Sequence, residues 1–373
     1  MIIESAERIV IKVGSAILVD SQKNGLRQEW LASLSEDIAQ LVKRGKEVAV
    51  VTSGAVALGC EYKGMDRSKL KIEEKQAMAS VGQALLIHHY RKSLLQFEMD
   101  ASQILLTLDD SEDRRRYLNA RNTMQTLLKM RIVPIINEND TVATDEMRFG
   151  DNDRLAARVA QMMGADLLVL LSDIDGLYTA NPHKDPSAHF VSEVKTITQD
   201  IEQMAGGSIS NFGTGGMISK IAAAKIAVAG GCHMVILKGH DNHPLRRLEE
   251  GERHTHFFAD RSPLKARKHW IRTSIKPHGT IIVDDGAARA LLNGNSLLAV
   301  GVKGVKGDFD RGDVVTVVDG HGKEIARGLI AYSSQDAGRI MGKNSDDIES
   351  ILGYIGRMEL IHRDDLVLTE PSL

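Results

Sequence analysis

Four short apolar runs in the first half of the chain each stop abruptly at a polar or glycine turn. Arg8–Val13 halts at Gly14-Ser15, Glu47–Thr52 at Ser53-Gly54, Ile132–Ile136 at Asn137, and Leu167–Leu171 at Ser172-Asp173. Near-continuous runs of Val, Ile and Leu mark strands buried on both faces, and such strands need helices on either side. Segments of helical periodicity do separate them. Glu29–Arg44 puts Trp30, Leu31, Leu34, Ile38 and Leu41 on one face and ends at Gly45, a fitting left-handed C-terminal residue. Ile72–Leu95 reads as one long helix or two, Gln103–Leu108 as another strand, and Tyr117–Met130 as a helix entered through the charged run Asp109–Arg116. The expected fold is therefore α/β, a mainly parallel sheet sandwiched by helices. Ligands of such sheets collect at the carboxyl ends of the strands, so the four turns should border one cleft.

The richest of these turns follows Pro134. Asn137-Glu138-Asn139-Asp140 ends one strand, and Asp151-Asn152-Asp153 stands directly ahead of a helix. Asn and Asp compete with regular structure for backbone hydrogen bonds, so both clusters belong at element ends. Helix capping accounts for one aspartate; two clusters so close together call for a ligand as well. Lys12 is anomalous within its apolar strand and needs an anionic partner. A third feature is Gly213-Thr214-Gly215-Gly216-Met217-Ile218-Ser219-Lys220, which leads into the helical pattern I-A-A-A-K-I-A-V-A. Glycines let backbone curl around an anion, the helix start supplies N–H groups, and Lys220 adds charge. The spacing is not that of a Walker A loop. Phosphate is the anion this combination suits.

Composition narrows the class. At 373 residues two domains are expected. The net charge of −3 gives no general attraction to nucleic acid or anionic membrane. Cys60 and Cys232 lie far apart, which argues against a disulfide framework and for a reducing cytoplasm. The longest apolar run, Leu167–Leu171, is too short to span a bilayer. Histidine forms no HExxH signature, and no metal site is assigned to protein side chains.

After a charge-rich stretch the pattern changes. Gly279–Asp284, Ser296–Val302, Asp313–Val318, Glu324–Ala331 and Leu366–Leu368 read as short strands between glycine turns, the signature of a small β-rich domain. The expected division is 1–260, a linker at 261–276, and 277–373. From Pro277 to Leu373 there are ten Lys and Arg against fifteen Asp and Glu, a balance of −5. An RNA-binding module should be basic, so nucleic acid is not the expected partner.

With those residues assembled, the sequence resembles the amino-acid kinase family, and within it the glutamate 5-kinases that carry a C-terminal PUA domain. I-V-I-K-V-G-S, V-T-S-G-A-V, L-N-A-R-N-T, V-P-I-I-N-E-N-D-T-V-A-T, G-D-N-D, G-L-Y-T-A-N-P and G-T-G-G-M-I-S-K occur in the family's order, as do the late I-L-G-Y and H-R-D-D. The resemblance implies an amino-acid kinase domain over 1–260 and a PUA domain over 277–373. It implies ATP-dependent phosphorylation of the side-chain carboxylate of L-glutamate to L-glutamyl 5-phosphate, the first step of proline biosynthesis. ATP and Mg²⁺ are the implied cofactors, proline the implied feedback inhibitor, and a cytoplasmic homodimer or homotetramer the implied assembly. Carried over by residue, it implies that Lys12 and Lys220 contact ATP phosphates and that Asp153 orients them. Gly14, Ser172 and Asp173 would line the nucleotide site, with Thr214, Gly215, Gly216, Met217, Ile218 and Ser219 covering it. Ser53, Gly54, Ala55, Asn137, Asp140, Asp151 and Asn152 would hold glutamate.

Overall fold

The computed structural model describes residues 2–20, 25–142, 152–182, 184–206, 216–273, 277–354 and 356–369. It divides into two compact units, Met1–Pro263 and Leu264–Leu373.

The first unit is built on one sheet. In chain order its elements are β1 (Arg8–Val13), α1 (Gln28–Lys43), β2 (Glu47–Val51), α2 (Ala55–Lys63), α3 (Ile72–Leu95), β3 (Asp100–Leu106), α4 (Arg114–Lys129), β4 (Ile132–Glu138), α5 (Asn152–Met163), β5 (Leu167–Ser172), β6 (Glu193–Val194), α6 (Met217–Ala229), β7 (His233–Lys238) and β8 (His254–Phe257). Across the sheet the strands run β6-β8-β7-β5-β1-β2-β4-β3. All pairings from β7 to β3 are parallel, while β8 runs antiparallel to β7. The strands that end in polar turns therefore point the same way, and their carboxyl ends share one edge.

Side-chain alternation decides what each turn can meet. Ile9, Ile11 and Val13 of β1 pack with Trp30, Leu34, Leu86 and Tyr90, the helical layer of α1 and α3. Val10 packs on the other face with Leu155, Val159 and Ala223, the layer of α5 and α6. Successive strand residues point to opposite faces, so Lys12 shares the face of Val10 and is aimed at α5 and α6.

Two glycines set the position of α2. A methyl group on Gly59 would lie 1.9 Å from the Met78 carbonyl oxygen, and one on Gly82 would lie 1.8 Å from that of Ala55. The backbones of α2 and α3 thus touch, which no side chain larger than hydrogen permits. This crossing fixes the start of α2 at the sheet edge, where Gly54 turns the chain with φ +101°.

Ile72–Leu95 is a single helix. The strand expected over Gln103–Leu108 begins and ends earlier, at Asp100–Leu106, because Thr107 stops it. The Thr107 hydroxyl accepts from the Asp110 amide (3.3 Å) while the Asp110 carboxylate accepts from the Thr107 amide (2.7 Å), a capping box for the short helix that follows.

In the second unit, β9 (Gly279–Val283), β10 (Val302–Gly307), β11 (Val314–Val318), β12 (Glu324–Leu329) and β13 (Leu366–Leu368) form a five-stranded sheet in the order β10-β9-β11-β12-β13. Ile281, Val283, Val315, Val317, Ala326 and Leu360 form its core. The stretch expected as a linker contains the helix Pro263–Thr273, whose Ile271 packs with Val314, Leu329 and Val367. Among the described residues no helix is long and apolar enough to cross a membrane.

Candidate active site

The edge formed by the strand ends opens into a cavity of about 280 Å³. Lys12 and Gly14 reach it from β1, Ser53, Gly54 and Ala55 from the β2–α2 turn, Asn137 and Asp140 from the end of β4, and Ser172 and Asp173 from the end of β5. Asn152 and Lys220 complete the wall from the two helices behind the sheet.

One end of this cavity is ionic. Asp153 in the first turn of α5 bridges two lysines. Its Oδ1 lies 2.6 Å from Lys12 Nζ and its Oδ2 lies 3.1 Å from Lys220 Nζ. The Ser219 hydroxyl donates to the same Oδ2 at 2.9 Å. All three charged side chains are buried, where an unpaired charge would be costly. Burial acts to raise the Asp153 pKa, but the charges of Lys12 and then Lys220, with hydrogen bonds from Lys12 and Ser219, outweigh it and hold the carboxyl at about 2. One carboxylate against two ammonium groups leaves a net charge of +1, locked in geometry and available to an anion. Beside it the Ser172 hydroxyl donates to Asp173 Oδ1 at 3.0 Å.

The other end is built from amides. Asn152 Nδ2 donates to the Thr52 carbonyl, to Ser53 Oγ (3.1 Å) and to Asn137 Oδ1 (2.9 Å). Asn137 Nδ2 donates in turn to Gln83 Oε1 at 2.8 Å. A backbone carbonyl can only accept, so the Thr52 contact fixes the polarity of the whole chain of amides. That polarity leaves Asn152 Oδ1 and Gln83 Nε2 buried without hydrogen-bond partners among the described residues. At the rim, burial pushes the Asp140 carboxyl up to about 6, against the lowering effect of the nearby Arg67 charge.

Residues 7–238 match the model of the amino acid kinase family. The chain belongs to this family. Residues 279–352 of the kinase match the PUA domain. It is 55% identical over 364 residues to a glutamate 5-kinase of Paramagnetospirillum magneticum, covering 98% of each chain. Against the glutamate 5-kinase of Agrobacterium fabrum it is 55% identical over 369 residues, covering 99% of this chain and 95% of the relative. The glutamate 5-kinase of Rhodospirillum rubrum is 54% identical over 359 residues, 96% of each chain.

Some expected site residues of this kinase stand apart from the cavity wall. Gly216 caps α6 and Met217 begins it; Met217 packs against the core, and Ile218 is exposed. Ser219 acts on Asp153 instead of facing the cavity. Asp151, Thr214 and Gly215 lie outside the described residues. Conversely, the sequence reading assigned no individual role to Thr52 or Glu138, although both stand in the strand ends it singled out, and none to Gln83 or Arg67. Gly82, a glycine in mid-helix, was the available hint to Gln83, since it marks close backbone approach. Arg67 sits in a short charged loop, Asp66-Arg67-Ser68-Lys69, with nothing to distinguish it from a solvated turn. His256 is partly buried, stacked on Phe258 and 3.1 Å from His233.

Proposed function

We propose that the chain transfers the γ-phosphoryl group of ATP to the side-chain carboxylate of L-glutamate, giving L-glutamyl 5-phosphate, the first step of proline biosynthesis. The observation that carries this reading is the meeting, in one cavity, of a lysine pair bridged by Asp153 with an uncharged amide cluster rimmed by Asp140. Relatives named glutamate 5-kinase match nearly the whole chain and support the choice of acceptor.

The nucleophile in this reaction is already ionised at neutral pH, so no general base is required. What must be overcome is repulsion between a carboxylate and the phosphates, together with the entropy of in-line alignment. Lys12 and Lys220 would meet that repulsion by facing the phosphoryl group from β1 and α6, their spacing set by Asp153. Gly14, Ser172 and Asp173 would flank the nucleotide, and the first turn of α6 would present Lys220 to its phosphates. Ser53, Asn137 and Asn152 would align glutamate, with the amides of Gly54 and Ala55 near a carboxylate and Asp140 accepting from the α-ammonium. Among the described residues no group of three or more His, Cys, Asp or Glu could hold a metal. In this reading Mg²⁺ would be held largely through ATP oxygens and water, where it adds screening of charge.

Proline shares the α-carboxylate and a cationic nitrogen with glutamate, and this reading makes it a feedback inhibitor competing at the amino-acid end. The kinase unit would assemble as a homodimer or homotetramer in the cytoplasm. The acidic PUA unit would act in structure or regulation, with no nucleic-acid partner.

The test is ADP release by the purified protein with ATP and Mg²⁺, offering L-glutamate, L-aspartate, N-acetyl-L-glutamate or UMP in turn. Turnover on glutamate, suppressed by proline, is the expected result. Turnover confined to another acceptor would overturn the assignment of the amide end.

A further inference from the structure

The proposed reading leaves one charge of the substrate without a cationic side-chain partner. Glutamate brings two carboxylates and one ammonium. Lys12 and Lys220 are both engaged by Asp153 at the phosphoryl end. A third cation lines the same cavity, Arg67, in a group of wall residues that includes Ser53, Gly54 and Asp140.

Local structure presents this arginine to the cavity and occupies its acidic neighbour elsewhere. Arg67 opens a single 3₁₀ turn, Arg67–Lys69, capped by its neighbour Asp66. The Asp66 carboxylate is taken up by the Ser68 amide (3.0 Å), the Ser68 hydroxyl (2.7 Å) and Lys69 Nζ (3.3 Å). Its natural sequence neighbour is thus unavailable as a counter-ion. Among the described residues Arg67 forms no ion pair, although Asp140 borders the same cavity. Asp140 feels the guanidinium charge, yet the two do not close on each other. Opposite charges held apart across a cavity suit a zwitterion, whose carboxylate and ammonium fit between them.

We infer that Arg67 is a specificity-determining residue that takes the α-carboxylate of the amino-acid substrate, opposite Asp140, which takes the α-ammonium. The inference rests on the proposed glutamate reading and deepens it. Guanidinium is suited to the task because its planar fork matches a carboxylate. The α2 amides and Arg67 would hold the amino-acid end while the side-chain carboxylate reaches toward Lys12 and Lys220.

The experiment compares the unaltered protein with Arg67→Ala and Arg67→Lys. KM for L-glutamate is measured alongside inhibition constants for 4-aminobutyrate, which lacks the α-carboxylate, and for glutarate, which lacks the α-ammonium. A charge-assisted contact predicts that Arg67→Ala raises the KM for glutamate roughly 10- to 100-fold, with little change in kcat. Binding of 4-aminobutyrate should stay unchanged, glutarate should weaken with glutamate, and Arg67→Lys should recover part of the loss. Equal weakening of glutamate and 4-aminobutyrate, an unchanged KM for glutamate, or a rise confined to the KM for ATP would each overturn the assignment. Absence of glutamate-dependent ADP release by the unaltered protein would instead sink the substrate reading itself.

Discussion

Asp153 and Asp140 border the same cavity, yet their surroundings drive them in opposite directions. Asp153 is buried between two lysines and a hydroxyl, and its carboxyl sits near 2. Asp140 is desolvated with only the unbonded Arg67 charge to oppose the burial, and its carboxyl rises to about 6. The difference teaches how the two ends divide their labour. The phosphoryl end locks its charges against one another and offers an anion one positive charge in excess, in a fixed geometry. The amino-acid end keeps its hydrogen-bonding capacity unspent, which is a cost in the empty protein and a resource for a ligand.

The largest test of this contrast is Asp153→Asn. Removing the carboxylate leaves two buried lysines facing each other, and breaking a buried ion pair on one side costs about 3–5 kcal/mol of stability. We expect a lowered Tm together with a fall in kcat on the order of 10²–10³, the scale of losing one well-placed electrostatic group. KM for glutamate should change far less. An unchanged kcat in a folded variant would remove Asp153 from the machinery. The pH dependence has a definite sign. Because the folded pKa is depressed from 3.8 to about 2, the bridge contributes its stability above about pH 4, and that contribution is lost as pH falls through about 2.

Asp140 should behave in the reverse sense. Its folded pKa is raised from 3.8 to about 6, so the stabilising state is the protonated one. That contribution is present below about pH 4 and lost as pH rises through about 6. Asp140→Asn should therefore be at least as stable as the unaltered protein at neutral pH while binding glutamate roughly 10- to 100-fold more weakly. In the unaltered protein, kcat/KM for glutamate should decline below about pH 6, since that ratio reports the free enzyme. The decline should vanish in the variant. Persistence of the same acid limb in Asp140→Asn would assign it to another group.

How much of this was legible beforehand follows from the physics of each element. The parallel sheet was visible because strands buried on both faces need unbroken apolar runs, and Leu167–Leu171 could be little else. Lys12 stood out because an ammonium in such a run needs a partner, although only the alternation of β1 against Val10 reveals that the partner lies on α5. The charged clusters at Asn137–Asp140 and Asp151–Asp153 announced themselves by their density. Gln83 did not. It lies in a long helix among ordinary helix formers, and its meeting with Asn137 spans 54 positions. The one local hint is the neighbouring Gly82, because the contact arises only when α3 is drawn against α2 by the Gly59–Gly82 crossing.

Gln83 also provides the subtlest break in the contrast. If the amide end works by polarity, Gln83 Oε1 and the Thr52 carbonyl together hold Asn137 with its carbonyl toward Asn152, and Asn152 Oδ1 is left buried without a partner among the described residues. Gln83→Leu removes the acceptor while filling a similar volume, and the Asn137 amide is then held in this orientation only by the bond its carbonyl accepts from Asn152. We expect about 1–3 kcal/mol of lost stability from the unmatched buried donor, and a rise in KM for glutamate of about 3- to 10-fold with kcat nearly intact. Gln83→Glu keeps an acceptor at the same reach and should recover most of the affinity for glutamate, although its buried charge lowers Tm. A purely structural role predicts something else. Affinity would then follow stability across the two variants, with the less stable one binding worse. Recovery of KM in Gln83→Glu despite a lower Tm separates the two, because only hydrogen-bond direction is common to the native amide and the carboxylate.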